Sequence, residues 1–253
     1  MRGAARPARA CLRAIGMLIL ACDLRAGGPL ALHLIIGNKN YSSWSLRPWF
    51  AMKVAGIAFE ETVISLEAPD FKSRLKALSG ADKVPALVDS DTRVWESLAI
   101  LEYLAEKFPA AALWPRDPGA RAHARAIASE MHAGFQALRQ QLPMNVRRPV
   151  VARALDAAAA ADVARIDAIW NECRARFGGG GPYLYGAFTA ADAMYAPVVS
   201  RFHTYAVEVG AAATAYTRAI MASPAWSEWR AAARREPWVL PQDEVDWPDV
   251  KRE

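Results

Sequence analysis

Three hydroxyls stand at one junction of this 253-residue chain. In Tyr41-Ser42-Ser43-Trp44-Ser45-Leu46-Arg47-Pro48-Trp49 they follow the apolar run Leu32-His33-Leu34-Ile35-Ile36 and precede a helical pattern. A strand that hands over to a helix N-terminus presents free backbone N–H groups and a partial positive charge, which favours an anion. A serine there can donate a hydrogen bond to a thiolate or an oxyanion, or it can cap the helix; the segment alone leaves both open. In Lys83-Val84-Pro85-Ala86-Leu87, the proline ahead of an apolar strand removes a ladder donor and suits a cis peptide bond. That frees the N–H and C=O of Val84 for an extended ligand, or marks an ordinary edge strand. Glu96 and Ser97 open a further helix. Ser97 and the helix N-terminus suit a carboxylate and Glu96 an ammonium group, so a free amino-acid end fits this corner; capping is again the alternative. Thr189-Ala190-Ala191-Asp192 is a capping box whose role is folding.

Other chemistries find less support. Beyond residue 31 the single cysteine is Cys173, and Cys11 and Cys22 precede it with no CxxC spacing. The histidines His33, His123, His132 and His203 form no HxxxH pair, so zinc, a disulfide framework and metal catalysis are all disfavoured. His132 reads as structural, and Trp226 and Trp229 as packing residues.

The positioning elements follow from periodicity. Strands are expected over 32–37, 59–66, 86–89 and 93–95, and helices over 45–55, 70–78 and 97–107, giving βαβαββα. A proline-containing break at 109–118 precedes helices over 121–141, 152–177, 189–209, 211–222 and 224–235. The tail from residue 236 is expected to pack as coil. The implied fold is an α+β domain at 32–109, a linker at 110–118 and an all-α domain at 119–253.

Apolar residues make up 53% of the chain, enough for a sizeable core. The net charge is +5, but residues 1–31 hold five arginines against Asp23, or +4, leaving +1 for the rest. The basic balance therefore belongs to that extension and does not argue for nucleic acid. The extension resembles a signal peptide, with Ile19-Leu20-Ala21-Cys22 similar to a lipoprotein cleavage site. The favoured reading is a mis-assigned start or a disordered leader. The apolar run at 14–22 is too short to span a membrane. A cytoplasmic protein is expected, with export as the alternative if 1–31 is a true signal.

Taken in order, SSxS after the first strand, VP before the third and ES before the last helix of the βαβαββα unit resemble the thioredoxin-like domain of glutathione S-transferases. The helical part, with Gly186-x-x-Thr189-x-x-Asp192, resembles that family's second domain, and the resemblance covers roughly residues 32–240. Glu130 to Phe135 and Pro143 to Arg147 look like an uncharacterised bacterial branch. Aligned on Arg47 and Gly56-Ile57, the zeta-class SSCS motif falls on Ser42-Ser43-Trp44-Ser45. The resemblance implies that Ser42, or Ser43 if the loop is one residue out of step, stabilises a glutathione thiolate. It places Lys83, Val84 and Pro85 at the peptide backbone and glycyl end of glutathione, and Glu96 and Ser97 at the γ-glutamyl end. It implies a second-substrate cleft lined by Tyr41, Trp44, Met131, Phe135 and Met144, with Arg139 and Asn145 as polar contacts.

The implied protein is a homodimeric enzyme, with glutathione as co-substrate and no metal, acting on a small, largely apolar electrophile. Isomerisation or dehalogenation on the same scaffold, or a non-catalytic interaction module, are the alternatives. Trp44 stands where the zeta motif has cysteine, which argues against maleylacetoacetate isomerisation in particular. Ser79-Gly80-Ala81-Asp82 lacks the Asn-Pro often seen before the VP turn, so the glycyl-end contacts are expected to differ.

Overall fold

The computed structural model describes residues 32–245; the extension at 1–31 and the end of the tail lie outside this range. Four strands, β1 (Leu32–Ile36), β2 (Glu60–Val63), β3 (Ala86–Asp89) and β4 (Thr92–Trp95), form one sheet in the order β2-β1-β3-β4. β1 pairs parallel with β2 and antiparallel with β3, and β3 pairs antiparallel with β4. The helices of this half are α1 (Ser43–Val54), α2 (Phe71–Ser79) and α3 (Ser97–Lys107), so the βαβαββα order holds.

β1 is buried on both faces apart from half-buried His33, which accounts for its otherwise apolar run. Leu34 and Ile36 join Leu46, Trp49 and Phe50 of α1 and Ile100 and Leu101 of α3 in one core. Ile35 points the other way, to Leu75 of α2. β2 is shorter than expected, because Asn38 Oδ1 takes the N–H of Leu66 at 2.8 Å and holds that segment as a loop.

Six helices follow: α4 (Pro118–Ala133), α5 (Gln136–Gln141), α6 (Ala157–Phe177), α7 (Ala190–Thr204), α8 (Ala211–Met221) and α9 (Pro224–Arg235). The single helix expected over 121–141 is two. Gly134 is extended and Phe135 takes φ +60°, which breaks the helix and turns the phenyl ring into the core. Carbonyls released there are taken by one side chain: Arg139 Nε donates to Gly134 O at 3.0 Å and its Nη2 to Met131 O. α6 starts later than expected because the Asp156 side chain caps it at Ala159 N, 2.8 Å away. α7 ends at Thr204, short of the expected 209.

α7 is buried along nearly its whole length and packs against α1, α4 and α8. Asp192 fixes its start. This fully buried carboxylate accepts from Leu184 N at 3.0 Å, Thr189 N at 2.7 Å and Thr189 Oγ1 at 3.0 Å, closing the expected capping box. Trp226 and Trp229 are buried as expected, Trp229 edge-on to Trp49. Among the described residues no helix is long and apolar enough to cross a membrane.

Candidate functional site

The loop from β1 to α1 is held from two distant stretches of chain. Asn40 donates from Nδ2 to Asn145 Oδ1 at 3.0 Å, and its own Oδ1 takes the N–H of Arg147 at 2.8 Å. The Glu236 carboxylate, beyond α9, takes the N–H groups of Lys39 at 2.6 Å and Asn40 at 3.0 Å. Arg147 reaches the carbonyls of Glu236 and Trp238 and the Tyr41 hydroxyl, which itself donates to Glu244. Burial, then the Glu244 carboxylate, push the Tyr41 pKa above its usual value.

Ser42 is the N-cap of α1, its Oγ accepting from Ser45 N at 3.3 Å. Its hydroxyl lies 2.7 Å from Ser45 Oγ, which also accepts from Gly37 N at 3.0 Å. Capping α1 does not withdraw Ser42 from the surface, because the capping serine also lines a cavity. Ser42 and Ser43 border a cavity of about 380 Å³ together with Tyr41, Trp44, Lys83, Val84, Arg139 and Met144. A smaller cavity of about 150 Å³ is lined by Trp44, Lys83, Val84, Pro85 and Glu96. Trp44, Lys83 and Val84 border both, so the two adjoin as the arms of a bent groove. The Val84–Pro85 peptide is cis.

Ser97 lines neither cavity. It is fully buried, and its Oγ has no hydrogen-bond partner among the described residues. Its neighbour Glu96 is exposed with φ +69°, a region sparsely populated by side-chain-bearing residues, which turns the chain sharply from β4 into α3. Glu96 Oε2 lies 3.6 Å from His132 Nε2, and the His132 ring meets Trp44 edge-on. Burial, with Arg47 nearby, lowers the His132 pKa.

Three expected cleft residues lie elsewhere. Met131 and Phe135 are buried core residues, and Asn145 is buried beneath the loop, accepting from Asn40 and Arg148 N. In their place the larger cavity has Arg201 and Asp243 on its wall. One signal for Arg201 was legible: an arginine that is the single charged residue in the largely apolar Met194 to Phe202 stretch. Asp243, in the tail, carried none.

One side of the larger cavity carries two arginines, Arg139 and Arg201, with Asp243 beside Arg201. Arg201 is buried, donates from Nε to Leu142 O at 2.8 Å, and has its pKa pulled to about 10 by burial and then by Arg139. Burial and the Glu244 charge push Asp243 up to about 6, against the opposing pull of Arg201. Behind the wall, Arg47 is fully buried, with Nε on Met194 O at 3.1 Å and both Nη atoms without partners among the described residues. Burial, followed by Arg139 and Arg201, drives its pKa well below the usual value. The guanidinium carbons of Arg47 and Arg139 lie 4.2 Å and 4.7 Å from the centre of the Trp44 ring system, both as cation–π contacts. Among the described residues no group of three or more His, Cys, Asp or Glu is placed to hold a metal ion.

Two family models match the chain: the glutathione S-transferase N-terminal domain over residues 41–107 and the glutathione S-transferase C-terminal domain over residues 156–232. The chain belongs to the glutathione S-transferase family. Within that family it is 41% identical over 100 residues to a probable maleylacetoacetate isomerase of Caenorhabditis elegans, covering 40% of this chain and 46% of that protein. The chain spans about half the length of the curated relatives it matches. Among solved structures it superposes on a bacterial zeta-class maleylpyruvate isomerase with a TM-score of 0.62 at 23% identity, covering 82% of this chain and all of the other. A glutathione transferase homologue from Burkholderia with bound glutathione gives a TM-score of 0.59 at 23% identity, over 80% and 97% of the two chains. These likenesses bear out the thioredoxin-like and all-α architecture expected of this glutathione S-transferase.

Proposed function

We propose that this glutathione S-transferase binds glutathione along the bent groove and stabilises its thiolate with the Ser42 hydroxyl. The observation that carries this reading is one juxtaposition: the α1 N-cap serine faces the same bent groove as the Val84–Pro85 segment and Glu96. The residues present fit the ligand. Val84 borders the groove two residues before β3, and the Glu96 carboxylate borders its smaller part, where it suits an ammonium group. Glutathione contributes a nucleophilic thiol with a pKa near 8.5 when free. The chain contributes a hydroxyl donor and a helix N-terminus, which favour the ionised form. Lowering the pKa by one unit takes about 1.4 kcal/mol, within the range of one hydrogen bond to a charged group.

Titrating the bound thiolate by its ultraviolet absorbance tests the assignment. Ser42→Ala is expected to raise the bound thiol's pKa by about one unit, and Ser43→Ala to leave it near the wild-type value. No change in either variant refutes serine activation, and a shift in Ser43→Ala alone moves the role to Ser43.

The conjugation expected from the sequence has a rival that one observation favours. Arg139 and Arg201 on the cavity wall, with Arg47 behind them, suit an electrophile carrying a carboxylate. Relatives named for maleylacetoacetate and maleylpyruvate isomerisation support the same reading. Isomerisation returns glutathione unchanged, whereas conjugation consumes it. Product analysis with a cis-unsaturated dicarboxylate and a neutral aryl halide therefore separates the two.

A further inference from the structure

We propose that Ser45 is a positioning residue for this site: its buried hydroxyl gives its proton to Ser42 Oγ and thereby directs the Ser42 proton into the cavity. The inference rests on the reading that Ser42 meets the thiolate.

The argument is a count of donors and acceptors. Ser45 is fully buried, and its Oγ touches two hydrogen-bonding groups, Gly37 N at 3.0 Å and Ser42 Oγ at 2.7 Å. The first is a donor, so among the described residues the sole acceptor in reach of the Ser45 proton is Ser42 Oγ. Ser42, in contrast, stands on the cavity wall. The two hydroxyls carry two protons for one O···O contact. With Ser42 donating to Ser45, the Ser45 proton is left buried and unpaired, which is the costly arrangement. With Ser45 donating to Ser42, the Ser42 proton emerges where an anion can accept it, and every donor is satisfied. Gly37 N–H at the end of β1 fixes Ser45 Oγ, Ser45 fixes Ser42 Oγ, and each bond polarises the next. Ser43, one residue on, has no such backing contact among the described residues, so the device serves Ser42 alone. No proton is transferred; the chain only orients them.

Titration of glutathione bound to the full-length protein tests this in wild type, Ser42→Ala, Ser45→Ala, the double variant and Ser45→Thr. Ser45→Ala is expected to raise the bound thiol's pKa by a sizeable fraction of the Ser42→Ala shift. The double variant is expected to match Ser42→Ala alone, because Ser45 acts through Ser42. Ser45→Thr keeps the hydroxyl, is expected to titrate like wild type, and serves as the probe if Ser45→Ala does not fold. A Ser42→Ala protein with an unchanged thiol pKa overturns the underlying reading and the relay with it. A shift in Ser42→Ala without one in Ser45→Ala overturns the relay alone, as does a double variant whose shift is the sum of the two singles.

Discussion

Replacing Asp192 by alanine removes one carboxylate and three hydrogen bonds at once. Two of these come from backbone N–H groups, on Leu184 and Thr189, in a region where Leu184 and Asp192 are both fully buried. Alanine leaves both donors without an acceptor, and each buried unsatisfied group costs about 1–3 kcal/mol. The total is roughly 2–6 kcal/mol, against about 1 kcal/mol for an ordinary surface N-cap. That is a large part of the ~5–15 kcal/mol available to a folded domain. Urea unfolding followed by tryptophan fluorescence reads the difference as a lowered midpoint at constant slope. Thr189→Ala keeps the carboxylate on both N–H groups and is expected to cost about 1 kcal/mol. A loss under about 1 kcal/mol in Asp192→Ala refutes the reasoning, since both orphaned N–H groups must then have found other partners.

Arg201→Met is expected to raise KM for a carboxylate-bearing electrophile about tenfold, the kinetic equivalent of ~1.4 kcal/mol, while leaving a neutral electrophile unaffected; equal changes in both refute the anion-binding wall. Asp243 sits at about 6, above its unfolded value near 3.9, so the folded protein holds this proton the more tightly. Its contribution to stability is full below about pH 4 and is lost as pH rises through about 6, and unfolding measured across that range in Asp243→Asn is expected to show a flatter profile. Gly186 adopts φ +79°, and a Cβ there would lie 2.5 Å from Gly179 O, so Gly186→Ala is expected to cost about 2 kcal/mol or more and to lower the Tm by several degrees.

The strand and helix order was legible because each element buries one face and the apolar spacing records it. β1 reads as apolar but for His33 because it is covered on both sides, and α3 and α9 have the expected bounds because ES and SP mark their starts. The break at Gly134–Phe135 was not legible. Apolar spacing continues across it, and the turn depends on where Phe135 finds its pocket. The groove was legible where its walls come from local turns, at Ser42, Val84 and Glu96. The wall built by Arg201 and Asp243 was less so, because both meet the cavity from chain positions far beyond α1 and only Arg201, set in an apolar stretch, marks itself in the sequence. The resemblance implies a cleft position for Met131 and Phe135, yet a buried apolar side chain fits core and cleft equally until packing decides.

The two hydrogen bonds from Lys39 and Asn40 to Glu236 join points nearly two hundred positions apart in the chain. A ribosome releases the N-terminal partner first and, at ~5–20 residues per second, the other some 10–40 seconds later. Throughout that interval the serine loop exists without the Glu236 carboxylate, while the sheet and α1 to α9 are made around it. The loop thus gains its Glu236 contacts only after Asn145 and Arg147 have supplied the earlier ones. A nascent chain stalled at Arg235 carries α1 to α9 and the Asn145 and Arg147 contacts to the serine loop, and lacks the Glu236 pair.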